Sequence, residues 1–538
     1  MSMSFRGAQR RGICSWVACG FLASLGMTVA LKAQVVIDSN VAVPMRDGVT
    51  LRADVWRPTA DGRYPTLVYR TPYGKHQATA AFATARKAVA RGYAVVLQDV
   101  RGRYASDGEF LPYQQEGRDG YDTIEWAAAQ PWSNGAIGTF GLSYPGAVQW
   151  LAAIENPPSL KAMVPAMTFA SPMQFWYSGG VWDGSWIDWI TANIAGDRTK
   201  RLAGDTTLHR IAPWYFEWQQ HPPYDPWWDW AELRDKYHRT SAAVLNLSGW
   251  HDDAYGPHGA TNNFIGLVAA RRDSPSRTAL IMGPWTHGVP RMNRTTAGDR
   301  EFGPAGVIDY DETVLRWMDH YVRGVDNGVA REKPVRVFVM GSNRWIEADA
   351  WPMPSLRLDT LLLRRPGAST RISASTRQVT DPHAGKAGAH DYRALANRSD
   401  IALFETAPLA SDLTVVGAMR AELLVSVVDA PDVDIHVKVY DVAPDGTALN
   451  LMSPGLDVVR ASYRNARSQR ELLNPRRSYD IVLPDLLTAN TFKKGHRIRV
   501  AVMTSFGPIF PGQSVTRVVV HHSDPYPFRL IMPTLPAQ

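Results

Sequence analysis

A short apolar run, Ile137-Gly138-Thr139-Phe140, leads without a break into Gly141-Leu142-Ser143-Tyr144-Pro145-Gly146, and a helical pattern starts at Ala147. A strand that turns this sharply into a helix crowds its own backbone, so small residues must flank the residue at the apex. The turn lifts the apex hydroxyl above the sheet and directs a helix N-terminus at it. Such a unit belongs in a parallel sheet wound with helices, and it makes Ser143 a candidate nucleophile. The commoner spacing is Gly-x-Ser-x-Gly; here the second glycine comes one place later, after Tyr144 and Pro145. Gly-x-Ser alone recurs by chance, so the weight falls on the flanking strand and helix and on the loops able to supply an acid and a base.

The surrounding pattern fits that sheet. Val43 to Leu51 reads as a hairpin about Asp47-Gly48, and Tyr64–Tyr69 and Tyr93–Gln98 read as buried strands. Helical patterns span Ala80 to Arg91, ending at Gly92, and Gly120 to Gln130. From about Ser171 to Arg239 strand signals vanish and Trp176, Trp182, Trp186, Trp189, Trp214, Trp218, Trp227, Trp228 and Trp230 crowd together. This is expected to be a helical cap over the sheet, most of its tryptophans packing and a few lining a pocket. Strands resume at Ala243–Leu247 and Thr278–Met282, with a long helix from Glu312 to Val322. Beyond about Trp351, short alternating strands such as Val433, Ile435, Val437 and Val439 predict an all-β sandwich. The expected class is therefore α/β, a hydrolase-type core over 34–350 with a cap over about 171–239, followed by a β-sandwich over 351–538.

Charge excludes one class of partner. The formal net charge is +7, but Arg6, Arg10, Arg11 and Lys32 fall in the first 33 residues with no acid among them. The remainder is nearly balanced and carries no electrostatic footprint for nucleic acid. Three arginines before an apolar run over Ile13–Leu31, with Ala33 preceding Gln34, have the build of a signal peptide over residues 1–33, with Ala30 as an alternative cut. The expectation is a periplasmic or secreted protein, with no membrane association once the signal is removed. Both cysteines, Cys14 and Cys19, lie in that segment, so the processed chain would have neither disulfides nor a thiolate metal site.

A nucleophilic serine needs a base and an orienting acid, which in this fold come after it in the order acid, then histidine, in loops after strands. Two loops qualify: Ser248-Gly249-Trp250-His251-Asp252-Asp253 and Gly283-Pro284-Trp285-Thr286-His287-Gly288. The resulting triad is Ser143, Asp252 and His287. Asp253 competes with Asp252 for the acid position, with a loop cap or a substrate contact as its other readings. His251 and His258 are read as surface residues or as residues behind the site, and His521-His522 as structural.

These stretches, with Arg70-Thr71-Pro72-Tyr73, Asp99 to Phe110, Val337 to Gly341 and Trp345, resemble the CocE/NonD hydrolases. That group comprises the cocaine esterase, glutaryl-acylase and α-amino acid ester hydrolases, related to the Xaa-Pro dipeptidyl-peptidases. The resemblance spans nearly all of the chain after the signal. It implies a C-terminal jelly roll of the galactose-binding-like kind and an oxyanion hole made by the Tyr144 N–H and the Tyr73 hydroxyl. Asp99 and Arg101 would brace their loop. The α-amino ester hydrolases place extra acids just after the triad aspartate; here Asp253, Ala254 and Tyr255 occupy those places, leaving at most one. The expected activity is acyl-enzyme hydrolysis of a small ester or amide substrate, with no metal or organic cofactor. Removal of Xaa-Pro dipeptides is the alternative, and a non-catalytic secreted binding protein a further one. Homo-oligomerisation is left open.

Overall fold

The computed structural model describes residues 35–536, apart from 78–82, 195–204, 272–276, 365–366, 368, 374–378, 453–456, 466–468, 476 and 508–516. The proposed signal segment lies outside the described residues. Ten strands form one sheet: β1 Val36–Pro44, β2 Thr50–Arg57, β3 Tyr64–Thr71, β4 Ala94–Asp99, β5 Ser133–Leu142, β6 Leu160–Ala166, β7 Ala243–His251, β8 Thr278–Thr286, β9 Val335–Val339 and β10 Arg344–Ala348. Their order is β1-β2-β4-β3-β5-β6-β7-β8-β9-β10. From β4 to β9 neighbours run parallel, while β1, β2 and β10 join antiparallel at the two edges. Strands β4 and β7 are buried along their whole length, which explains why they read as unbroken apolar runs rather than as alternation.

The helices that cover the sheet include Glu116–Ala129, Tyr144–Ala153, His258–Ala270 and Tyr310–Tyr321. The first of these begins a turn before the sequence pattern indicates. Gly117 and Gly120 weaken the helical signal there, yet a Cβ on Gly120 would lie 2.5 Å from the Ala152 Cβ. Glycine lets this helix pack closely against Tyr144–Ala153 at the cost of propensity. Among the described residues no helix is long and apolar enough to cross a membrane.

Between β6 and β7 the chain leaves the sheet and builds the cap from short helices, including Trp186–Asn193 and Pro213–Gln220, with a two-residue β-ribbon. Trp176 is its hub, with ring centroids 5.1–5.8 Å from those of Trp186, Trp218, Trp228 and Trp230. Aromatic packing of this kind substitutes for the regular periodicity that the cap sequence lacks.

After β10 the chain forms two packed antiparallel sheets. One is built on the long strands Leu413–Val427 and Ser478–Phe492, the other on Asp434–Val442 and Arg497–Met503. The polar members of the alternating stretch Asp434–Val442 do not face solvent; all nine residues are buried. Lys438 Nζ lies 2.6 Å from Asp457 Oδ2 and 4.0 Å from the centre of the Phe506 ring. Loop segments thus cover the outer face of this sheet, and each buried charge needs its partner. The sandwich also extends the hydrolase core. Met340 N–H donates to Ala489 O (3.0 Å) and Thr491 N–H donates back to Met340 O (2.8 Å).

Candidate active site

Ser143 caps β5 at φ +70° and ψ −131°, a conformation that costs an ordinary side chain about 1–3 kcal/mol and persists only where its surroundings impose it. Its N–H donates to Ala166 O (3.0 Å), and its carbonyl accepts from Gly146 N–H (2.8 Å) and Ala147 N–H (2.9 Å). The glycines are required by space. A Cβ on Gly141 would fall 2.6 Å from the Pro145 Cβ, and one on Gly146 would fall 2.5 Å from Ala166 O. It is residue 146, rather than 145, that meets β6, so the displaced glycine is a steric requirement of this turn. Pro145 is tolerated because the first helical turn has no acceptor for its N–H. Tyr144 opens the helix, so its N–H is likewise free of any intrahelical bond. Its ring is fixed from behind, the hydroxyl donating to Glu116 Oε1 (2.8 Å) and accepting from Tyr113 N–H (2.9 Å).

Strands β7 and β8, hydrogen-bonded to each other, deliver the other two residues from adjacent loops. His287 Nδ1 lies 2.8 Å from Asp252 Oδ1. The Asp252 side chain is wholly buried, while the His287 side chain is 22% exposed and reaches the cavity. Asp252 Oδ1 also accepts from Ala254 N–H (3.1 Å), and Ser248 Oγ donates to its Oδ2 (3.4 Å). Asp253, exposed, accepts instead from the backbone N–H of His287 (3.1 Å). The imidazole partner is therefore Asp252, and Asp253 holds the loop. Burial works against the imidazolium, but the charge and hydrogen bond of Asp252 together with the charge of Asp253 outweigh it, raising the His287 pKa above its ordinary value.

His251 and His258 are not surface residues; both are buried. His258 Nε2 lies 2.6 Å from Asp485 O of the sandwich. His251 is pushed down to about 3 by burial and by nearby Arg300 and His390, so it stays neutral beside Asp252. His522 is buried and His521 pairs with Ser426, both within the sandwich.

Ser143 and His287 open onto a cavity of about 500 Å³ that Tyr73, Phe175, Trp186 and Trp189 help to line. Lys75 pins the chain next to Tyr73, its N–H and Nζ each 2.7 Å from the carboxylate of buried Asp99. Arg101 clamps Asp119 in two-pronged fashion at 2.6 and 2.9 Å. Trp189 Nε1–H donates to Tyr73 Oη (3.1 Å), leaving the tyrosine proton free to point elsewhere. Burial raises the Tyr73 pKa, so the hydroxyl stays protonated and remains a donor. Tyr73 and Tyr255 both approach the Ser143 hydroxyl. Tyr255 also bonds Tyr113 through their hydroxyls (2.9 Å). Sequence reasoning noted Tyr255 only as a missing acid and did not single out Tyr113 or Asp183, another residue of the cavity wall.

Known proteins resemble this chain over most of its length. Residues 47–289 match the X-Pro dipeptidyl-peptidase (S15 family), and residues 327–519 match the X-Pro dipeptidyl-peptidase C-terminal non-catalytic domain. The cocaine esterase of Rhodococcus sp. (strain MB1 Bresler) is 32% identical over 552 residues, spanning 90% of this chain and 93% of its own length. An α-amino acid ester hydrolase superposes with a TM-score of 0.79 at 22% identity, covering 96% of this chain and 100% of its own. An aminopeptidase from a marine sediment Thaumarchaeota archaeon gives 0.78 at 22% identity, over 93% and 96% of the two chains. The last two likenesses show the shared fold. Core, cap and relatives together define a serine hydrolase of the α/β-hydrolase class. Within that class the chain belongs to the CocE/NonD family.

The packing of Gly146 against β6 is open to test. Gly146→Ala should destabilise the protein by about 1–3 kcal/mol through overpacking, read as a lowered melting temperature. An unchanged melting temperature would contradict the steric account.

Proposed function

We propose that Ser143 is the acyl-accepting nucleophile of an esterase for small acyl substrates. His287 acts as its base, Asp252 orients the imidazole, and the Tyr144 N–H with the Tyr73 hydroxyl receives the oxyanion. The single observation that carries this reading is the 2.8 Å bond from His287 Nδ1 to buried Asp252 at a cavity shared with Ser143. With Nδ1 committed to the carboxylate, Nε2 is the nitrogen left to take the serine proton and later return it to the leaving group. Water then attacks the acyl-enzyme by the same route and releases the acid. Tyr73, whose oxygen accepts from Trp189, offers its proton to charge that develops on the substrate carbonyl oxygen.

Ester cleavage is favoured over release of Xaa-Pro dipeptides by the whole-length kinship to a cocaine esterase, against 26% identity over 62% of this chain for an Xaa-Pro dipeptidyl-peptidase-like protein of Streptomyces avermitilis. The arginine-led apolar segment at Ile13–Leu31 supports export.

Labelling with a fluorophosphonate and turnover of p-nitrophenyl acetate and butyrate should be lost together in Ser143→Ala, turnover by about 10⁴–10⁶-fold. Ala-Pro p-nitroanilide should be a poor substrate beside the esters. Its preferential cleavage would overturn the esterase reading, and turnover that survives Ser143→Ala would overturn the nucleophile.

A pH profile gives a second test. The free enzyme needs neutral His287, so kcat/KM for a neutral ester should rise with pH through a midpoint above about 6.5. Asp253→Asn removes a charge that favours the imidazolium and should move that midpoint to lower pH. An unmoved or raised midpoint would contradict the assignment.

A further inference from the structure

The tip of the cap's ribbon does not project into solvent; it is pressed onto the β-sandwich. Tyr177–Ser178 pairs with Val181–Trp182, and Gly179 and Gly180 form the turn between them at φ +54° and +90°. A two-residue hairpin turn with both φ positive accepts Asn-Gly as readily as Gly-Gly. Docking removes that choice. A Cβ on Gly179 would overlap Val458 O, and one on Gly180 would lie 2.6 Å from Tyr463 Cδ2. Arg460 N–H donates to Gly179 O (2.9 Å), and Val181 packs with Val458 in a small buried apolar contact. The receiving strand is itself fixed: Val458–Arg460 pairs with Asp434–His436, and the Arg460 side chain grips buried Asp434 at 2.8 and 3.1 Å.

From this ribbon the chain runs directly into helix Trp186–Asn193, in which only Trp186 and Ile190 are buried. So narrow a buried face leaves the helix dependent on what holds its ends. At the far end Arg103 Nη2 donates to Asn193 O (2.8 Å). At the near end Asp183 N–H donates to Trp176 O (3.0 Å), and Asp183 Oδ1 accepts from Ser185 N–H (2.8 Å), so the start of the helix follows the ribbon. One turn further on, Trp189 Nε1–H donates to Tyr73 Oη (3.1 Å). A misplacement of about 1 Å at a reacting group can cost on the order of 10²-fold in rate. The seating of the turn therefore bears on where the Tyr73 proton points.

We propose that the Gly179–Gly180 turn is a positioning element, through which the β-sandwich sets helix Trp186–Asn193 and with it the direction of the Tyr73 hydroxyl proton. The proposal rests on the reading of Tyr73 as an oxyanion donor and extends it to a domain that contributes no described residue to the cavity wall.

The test is a double-mutant cycle on a neutral p-nitrophenyl ester, each variant first shown to be folded. Gly179→Ala should lower kcat by about tenfold and leave KM within about twofold of the wild type. Tyr73→Phe should lower kcat by about 10²–10³-fold, and Gly179→Ala added to it should change kcat by less than about twofold, because the donor it misplaces is gone. A sandwich that merely tethers the cap would give Gly179→Ala a lowered melting temperature and a raised KM with kcat unchanged, and that outcome overturns the proposal. Losses that multiply across the cycle overturn it too, as does a Tyr73→Phe enzyme with wild-type kcat. Gly180→Ala, whose methyl meets the ring of Tyr463 rather than backbone, takes the place of Gly179→Ala if the latter does not fold. Fluorine NMR of protein carrying 5-fluorotryptophan reads the coupling without turnover. The Trp189 signal, assigned by its absence from Trp189→Phe, should shift in Gly179→Ala. If the wild type hydrolyses no ester while that signal shifts, the esterase reading fails and the positioning stands. If the ester turns over and the signal does not move, the positioning fails and the esterase reading stands.

Discussion

The bond between His287 and a completely buried Asp252 is the interaction on which the rest of the site depends. A carboxylate at that depth survives only with its oxygens engaged, and Ala254 N–H in the loop and Ser248 Oγ on β7 serve that purpose. His251, the neighbour of Asp252 in the chain, is buried near Arg300 and His390 and stays neutral. Trp250, near the end of β7, is tied to Phe338 O by its indole N–H (2.7 Å), so the strand that leads into the Asp252 loop is held from β9.

Strain is concentrated at the opposite side of the site. Ser143 sits at positive φ because β5, the helix after it and β6 converge on the turn, and three backbone hydrogen bonds hold it there. Parallel strands whose ends lie side by side carry Ser143, Asp252 and His287 to one edge of the sheet, as expected for function at the C-terminal ends of strands in this class. The cap then closes the cavity with aromatic surface, and Trp189 has two tasks: it walls the cavity and fixes the direction of the Tyr73 proton.

The α/β core and sandwich were legible because buried parallel strands read as apolar runs and sandwich strands alternate. The order serine, acid, histidine was legible because each residue comes after a strand. Tyr73 had no local signature and became a candidate only through the family resemblance. Tyr113, Tyr255 and Asp183 left no pattern, since the first lies in an irregular loop, the second differs from the acids expected there, and the cap holds together by ring contacts without a repeating period. The polar members of the Asp434–Val442 strand likewise read as solvent-facing, yet Lys438 is buried against Asp457 by loops distant in sequence. Long-range coverage of this sort leaves no trace in a local window.

The central claim is that Asp252, and not its neighbour, orients the base. The most direct measurement is kcat on a neutral p-nitrophenyl ester for Asp252→Asn beside Asp253→Asn, each first shown to be folded. An amide at 252 favours the wrong imidazole tautomer and should lower kcat by about 10⁴-fold, while an amide at 253 should leave kcat at high pH within about tenfold of the wild type, since its hydrogen bond is to the backbone of His287 and its charge only shifts the imidazole pKa. The reverse order of losses would contradict the account.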